Sequence, residues 1–406
     1  MTVKAPAGNL RGLFYMEAIM NIPSPTNPLL PMDWDRAPWN RWSFHHMREI
    51  VPTVEVWRGD GPVRQLDRKE KNLDQLNVKS LAGAPTSLSG FLDETYTDGF
   101  LVMHRGAIVY ERYFGTMTPH SIHLSQSVAK SVVGMTAGIL IGCGLLDPTQ
   151  LMSHYLPELA QTGWAGASLQ QVLDMTTGVK FDETYTNPHS DIGQLDVATG
   201  WKPIPPGSDP KLKWPSHVWE QIVGLEQVTR PHGAAFEYRS IETDVLAFAM
   251  ERVTGKRLPQ IISEELWQKL GMEESACFTV DRAGYALADG GFNATLRDYG
   301  RFGQMVLSGG AGIVPSSWIE TTRSGDHKIF AAPYNYSLPH GAYHNQWWIE
   351  DQTSRNLMAR GVFGQWIYID FAHEMVIVKM SSWPDFLNTK FAIATLAAGQ
   401  AIAAAL

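Results

Sequence analysis

The stretch His123-Leu-Ser-Gln-Ser-Val-Ala-Lys-Ser-Val-Val-Gly134 decides how the rest of the chain is read. It opens an apolar segment with the pattern of a buried helix, and Ser127 and Lys130 stand three residues apart at its start. Side chains at that spacing share a helix face. A hydroxyl and an amine held together are the minimal parts of an activated nucleophile. The helix N-terminus adds free N–H groups and partial positive charge near the hydroxyl oxygen.

Working outward, the neighbouring runs imply the sheet that carries this helix. Phe100–Met103 and Ala107–Tyr113 are β-rich and joined by His104-Arg-Gly106, a hairpin pattern. The helix is expected to stop near Gly142-Cys-Gly144, ahead of Asp147-Pro148. From Asp147 to Gly233 strand signals are scarce. Leu151–Leu159 and Ser168–Met175 read as short helices, and Asn187–Pro215 as a long proline-rich loop of the kind that covers functional sites. Ile241–Val253 has helical spacing closed by Thr254-Gly255. Leu258–Leu270 reads as another helix, and Ala288-Asp-Gly-Gly-Phe292 as a turn into the helical Leu296–Leu307. Gln346–Glu350, Phe363–Asp370 and Glu374–Met380 read as strands, followed by an Ala-rich helix over Leu387–Leu406.

The order predicts an α/β (α+β) fold: an antiparallel sheet built from N- and C-terminal segments, flanked by helices, with an inserted mainly helical subdomain. The expected division is an N-terminal arm and linker over 1–98, a body over 99–146 and 234–406, and the insert over 147–233.

Bulk properties narrow the function classes. A chain of 406 residues can bury a large core. The net charge of −8 argues against nucleic acid or an anionic membrane as partner. Two cysteines, Cys143 and Cys277, give no disulfide framework. The apolar runs Ser131–Leu146 and Phe391–Leu406 fall short of the ~20 residues a membrane span needs. The N-terminus lacks a signal-peptide pattern, so a cytoplasmic location is expected. His45-His46-Met-Arg-Glu49 does not have metal-ligand spacing, because adjacent histidines on a helix point apart. No metal and no cofactor is expected. The partner is a small molecule, with monomer and homodimer both open.

Ser-x-x-Lys alone is weak evidence, and Ser208-Asp-Pro-Lys211 is a second copy. That copy lies among prolines, which exclude a shared helical face. No Gly-x-Ser-x-Gly elbow, phosphate loop or zinc-spaced cysteine pair competes with Ser127.

With these residues in place, His123–Asp147 resembles the active-site helix of the serine β-lactamase and penicillin-binding superfamily. The resemblance is to its class C-like branch, which includes D-aminopeptidases, family VIII esterases and nylon-oligomer (6-aminohexanoate-dimer) hydrolases. The Tyr-x-Asn/Ser motif of that branch matches Tyr238-Arg-Ser240, ahead of a helix. Tyr185-Thr-Asn187 has the same letters but precedes a proline. The third motif, Lys-Thr-Gly, reads Ala359-Arg-Gly361. The likeness is greatest to the nylon-oligomer hydrolases and covers roughly residues 100 to 390. It is echoed in Val172-Leu-Asp-Met175, Tyr185 with Pro188, Gln346-Trp-Trp348, Gly364-Gln365 and Ser381-Ser-Trp-Pro-Asp385.

The resemblance implies a serine hydrolase that forms an acyl-enzyme on Ser127, with Lys130 and Tyr238 as proton-handling partners. It implies an oxyanion hole from the N–H groups of Ser127 and Val362, and substrate contacts from Tyr185, Asp196, Ser240, Asp289 and Gly361. Small amides or esters, including 6-aminohexanoate-dimer-type linear amides, are the expected substrates. A β-lactamase, a D-aminopeptidase, or a penicillin-binding sensor that acylates without turnover are the alternatives. β-Lactamases bind the drug's carboxylate through the third-motif lysine. Here that position is Ala359, and strand alternation turns Arg360 to the opposite face. A lysine or tyrosine acting as base near neutrality must drop about 3 pKa units, or ~4 kcal/mol, from its usual value. Mutual proximity and burial are the expected causes, and the pair titrates together.

Overall fold

The computed structural model describes Pro23 and residues 29–406. An eight-stranded sheet forms the spine. Its order across the sheet is Ala342–His344, Trp347–Ile349, Leu357–Gly361, Gln365–Asp370, Met375–Ser381, Thr97–His104, Ala107–Tyr113 and Asp67–Arg68. All neighbours are antiparallel except the last pair, in which Asp67–Arg68 runs parallel to Ala107–Ile108. The seam that closes the fold pairs the late strand Met375–Ser381 with the early strand Thr97–His104, Val376 opposite Met103 and Val378 opposite Leu101.

Period-two alternation along these strands sends side chains to two separate cores. Leu101, Met103, Ile367, Ile369, Val376 and Val378 face the helices Val128–Gly142 and Leu296–Leu307. Phe100, Val102, Trp366, Tyr368 and Ile377 lie on the other face, with the C-terminal helix Thr389–Ala405 and the short helix Leu88–Glu94. A sheet buried on both faces reads as continuous apolar runs. That is the pattern of Phe100–Met103 and Met375–Val378.

Helix Val128–Gly142 is buried on nearly every side, which suits a central helix. Gly134, Gly138 and Gly142 form a stripe at i, i+4 spacing. A Cβ on Gly134 would stand 2.6 Å from the Asn345 carbonyl oxygen, and one on Gly138 would stand 2.3 Å from the Trp318 ring. The missing side chains let the neighbours approach the helix backbone, which fixes its depth in the core.

A second, four-stranded sheet was not expected from the sequence. It runs Thr53–Val56, Ala276–Thr279, Phe292–Thr295 and Ile122–Leu124. These strands are three or four residues long, too short for periodicity to declare them. Their effect is specific. Leu124 pairs with Asn293, and the Ser125 N–H donates to the Phe292 carbonyl at 2.8 Å. The turn at Ala288–Gly291 is thereby pinned beside the residues that lead into Ser127.

Within the N-terminal arm and linker expected over 1–98, residues 60–98 hold the strands Asp67–Arg68, Asn77–Lys79 and Pro85–Ser87 and a helix capped by Ser87. Residues 147–233 hold short helices and no strand longer than an isolated bridge. Their Trp164, Leu169, Val172 and Leu173 share one core with Val132 and Val245. Within the proline-rich stretch, Ser190 caps a helix over Asp191–Ala198. The helix read over Leu258–Leu270 divides into Leu258–Ile262 and a wider turn at Ser263–Trp267. No helix among the described residues is long and apolar enough to cross a membrane.

Candidate active site

Ser127 sits at the first turn of helix Val128–Gly142, with Gln126 before it in the left-handed region at φ 49°. A non-glycine residue there carries strain, and strain of this kind collects at functional sites. The Lys130 ammonium reaches back along the helix and donates to Ser127 Oγ at 3.0 Å. It also donates to Ser240 Oγ at 3.2 Å and to the Asp289 carbonyl oxygen at 2.7 Å. Its three protons are therefore all engaged, and the side chain is 1% exposed.

Ser240 comes from the residue that begins helix Ile241–Thr254, and Tyr238 stands two positions earlier. The Lys130 nitrogen lies 5.1 Å from the Tyr238 ring centroid. The ring is stacked on Trp348 at 5.4 Å, and the Tyr238 N–H donates to the Tyr334 hydroxyl at 2.9 Å. The matched serine, lysine and tyrosine are thus brought to one point from two separate elements, the start of helix Val128–Gly142 and the segment leading into helix Ile241–Thr254. The decoy pair is not: Ser208 donates to the Pro205 carbonyl in an exposed loop.

Sequence reasoning missed Glu183. Its carboxylate accepts from Ser240 Oγ at 2.5 Å, from the Ser240 N–H at 3.0 Å and from the Tyr185 hydroxyl at 2.8 Å. A chain of contacts runs from Lys130 through Ser240 to Glu183 and Tyr185. The only signal in the sequence was an acidic residue two places before Tyr185. In a polar loop that looks like any solvated glutamate.

The remaining expected contacts divide. Tyr185 and Gly361 line the same cavity as Ser127, Tyr238 and Val362, a space of about 380 Å³. Asp196 lines an adjoining chamber of about 900 Å³, which shares Glu183, Tyr185, Phe386 and Leu387 with the first. Asp289 and Ser240 line neither; both face Lys130. The Asp289 carboxylate is 3.5 Å from the ammonium. Behind Asp289, the buried Asp244 carboxylate accepts from the N–H groups of Ala288 and Asp289 and holds the turn in place.

Gly361 abuts the nucleophile loop so closely that a Cβ would stand 2.6 Å from the Ser125 carbonyl oxygen. Glycine is what lets the strand end meet that loop. Val362 follows, and Phe363 turns the chain away at φ 61°. Among the described residues, neither the Ser127 N–H nor the Val362 N–H has a backbone acceptor.

The electrostatics differ from the expectation of a lowered lysine or tyrosine. Burial pushes the Lys130 ammonium down, but Tyr238, Asp289 and Glu183 together outweigh it and hold it above its usual value. Burial raises the Tyr238 phenol, with Lys130 and Ser127 working against it. The resting site therefore keeps both protons. The groups that raise Lys130, Tyr238 first and then Asp289 and Glu183, all lie far from it in sequence. Glu183 is itself raised, by burial first, and Asp196 is pushed up to about 8 by burial and by Asp35.

Arg360 also departs from its expected place. Alternation does turn it away from Ala359, but the cavity wraps round the strand end, so Arg360 lines it together with Met358. No group of three or more metal-ligating side chains occurs among the described residues.

Comparison with known proteins agrees with this geometry. The beta-lactamase family model matches residues 91–401. The chain is 35% identical over 365 residues to the 6-aminohexanoate-dimer hydrolase of Paenarthrobacter ureafaciens, covering 87% of this chain and 88% of that one. A solved structure from Bacillus anthracis, provisionally assigned as a 6-aminohexanoate-dimer hydrolase, superposes with a TM-score of 0.84. Its identity is 31%, covering 94% of this chain and 98% of that one. EstCE1, a hydrolase with promiscuous acyltransferase activity, shares the fold at a TM-score of 0.60 and 15% identity, covering 76% and 96%. With three quarters of its length matched to the family and its serine, lysine and tyrosine gathered at one cavity, this chain belongs to the beta-lactamase family of serine hydrolases.

Proposed function

We propose that the protein hydrolyses short linear amides and esters through an acyl-enzyme on Ser127, with 6-aminohexanoate-dimer-type amides as the leading substrate class. The observation that carries this reading is the 3.0 Å contact between Lys130 Nζ and Ser127 Oγ, buried on one side and open to the cavity on the other. The identity to a 6-aminohexanoate-dimer hydrolase supports the substrate class.

In the resting site Lys130 donates to Ser127, so the hydroxyl is held in place and not yet activated. Loss of one proton from the Lys130–Tyr238 pair creates the base. Ser127 Oγ then attacks the carbonyl carbon, its proton passes to the pair, and the carbonyl oxygen becomes an oxyanion. The N–H groups of Ser127 and Val362 are placed to receive that charge, and loss of one such donor typically costs about 10²–10³ in rate. The pair returns the proton to the leaving nitrogen or oxygen as the C–N or C–O bond breaks. Water enters and attacks the acyl carbon as it gives a proton to the same pair, and the bond to Ser127 breaks as the pair returns that proton to Oγ, releasing the acid.

Ala359 in place of the third-motif lysine argues against β-lactams as the main substrate. The test is a panel of p-nitrophenyl esters, 6-aminohexanoate dimer and nitrocefin, on wild type and Ser127→Ala. Ester and dimer turnover abolished in the variant supports the proposal. Nitrocefin turnover matching ester turnover would favour a β-lactamase, and a stable adduct without turnover would favour a penicillin-binding sensor.

A further inference from the structure

Arg360 brings a charge into the cavity, and among the described residues no carboxylate forms an ion pair with it. Lys130, Lys202, Arg239 and Arg301 are paired with Asp289, Asp35, Glu242 and Asp298, and the fully buried Lys379 is held by the Thr95 carbonyl and the Ser381 hydroxyl. Arg360 has one long hydrogen bond, from Nη1 to Ser337 Oγ at 3.4 Å, and its guanidinium lies 5.2 Å from the Trp348 ring centroid. Burial lowers it to about 10, opposed among the described residues by Tyr238, which is neutral at rest.

An unpaired charge in an apolar enclosure is costly, and a ligand anion relieves that cost. The guanidinium fork matches a carboxylate with two parallel hydrogen bonds. Around it the cavity wall is apolar, with Met358, Trp366, Leu338 and Leu396. Such a wall accepts methylenes, and the Glu183 carboxylate that also lines the cavity is already engaged by Ser240 and Tyr185.

We propose that Arg360 is a carboxylate subsite, so that the enzyme takes straight-chain ligands whose terminal carboxylate is separated from the scissile carbonyl by a short aliphatic spacer. The spacer follows from the cavity: Arg360, Ser127 and Val362 line the same space of about 380 Å³, so a ligand that meets both the guanidinium and the nucleophile spans the apolar stretch between them. The position of the scissile carbonyl rests on the Ser127 reading above; the anion site itself does not. The competing role is structural: Arg360 could serve only to back Trp348, which in turn backs Tyr238.

Calorimetric titration of wild type with hexanoate, 1-hexanol and hexylamine separates the two roles, because no turnover is needed. The subsite predicts hexanoate at least 10-fold tighter than hexanol, and hexylamine weakest. In Arg360→Met the preference for hexanoate over hexanol should fall to within threefold, while Arg360→Lys should keep part of it. If Arg360→Met fails to fold, the wild-type order and Arg360→Lys still decide. No binding by hexanoate, equal binding of hexanoate and hexanol by wild type, or an undiminished preference in Arg360→Met would overturn the proposal. Each of those results leaves the Ser127 panel untouched, and a failed Ser127 panel leaves this titration readable.

Discussion

Lys130 Nζ lies 2.7 Å from the main-chain oxygen of Asp289 and 3.5 Å from its carboxylate, so one residue fixes the ammonium twice. The carbonyl contact survives substitution; the charge does not. In Asp289→Asn the ammonium loses one of the carboxylates that hold its proton, and its pKa falls. An opposite charge at this range is worth about 1–3 pKa units. Activity here needs the deprotonated pair, so kcat/KM of wild type should climb into the alkaline range. The rising limb should move to lower pH by about one unit in Asp289→Asn. A pH–rate profile with a neutral ester checks it, and an unmoved limb would show that Asp289 does not set the proton affinity of Lys130.

Glu183 holds Ser240 by two hydrogen bonds and Tyr185 by a third. Glu183→Ala removes both acceptor oxygens and all three hydrogen bonds at once. Each bond to a charged group is worth about 1.5–3 kcal/mol, so kcat/KM for p-nitrophenyl acetate should fall by 10-fold or more. Glu183→Gln keeps one acceptor oxygen and should lose less. Equal losses in the two variants would mean that negative charge, not the hydrogen-bond geometry, is what Glu183 supplies.

The large features of this fold were legible because their signals are long. The hairpin at residues 100–113, the buried helix after Ser127 and the final alanine-rich helix each span enough residues for periodicity and apolar content to speak. The four-stranded sheet was not, because three- and four-residue strands carry no period of their own. Ser127 and Lys130 could be singled out from spacing and helix context, and Tyr238 through the resemblance to the family's second motif. Glu183 and the Lys130-facing direction of Asp289 could not, since both depend on long-range pairing that brings two loops to Lys130. Arg360 shows a subtler limit. Alternation gave its face correctly, but only the folded chain shows that the cavity extends round the strand to that face.

Asp196 is half-buried in the chamber beside the cavity and pushed up to about 8. Below that pH it is mostly neutral; above it, ionised. A substrate with a terminal ammonium stays cationic until about pH 10, so attraction to Asp196 should strengthen as pH rises from 7 to 9. KM for 6-aminohexanoate dimer should fall over that interval in wild type and stay flat in Asp196→Asn. Parallel curves in the two proteins would place the ammonium elsewhere.

Gly134 has no room for a side chain, since a Cβ would press to 2.6 Å on the Asn345 main-chain oxygen. Backbone cannot swing away as a flexible side chain can. Gly134→Ala should therefore cost about 1–3 kcal/mol by overpacking and lower Tm by several degrees. Because the helix also carries Ser127 and Lys130, kcat should drop in the folded fraction. Thermal melts and active-site titration measure the two effects separately.

The account stands most directly on the covalent intermediate. Wild type mixed with a p-nitrophenyl ester, quenched in acid within the first turnovers, should gain the mass of one acyl group, located on the peptide that carries Ser127. That mass should disappear on chase and never form in Ser127→Ala. An adduct on another residue, or full ester turnover by Ser127→Ala, would contradict the assignment of Ser127 as the nucleophile.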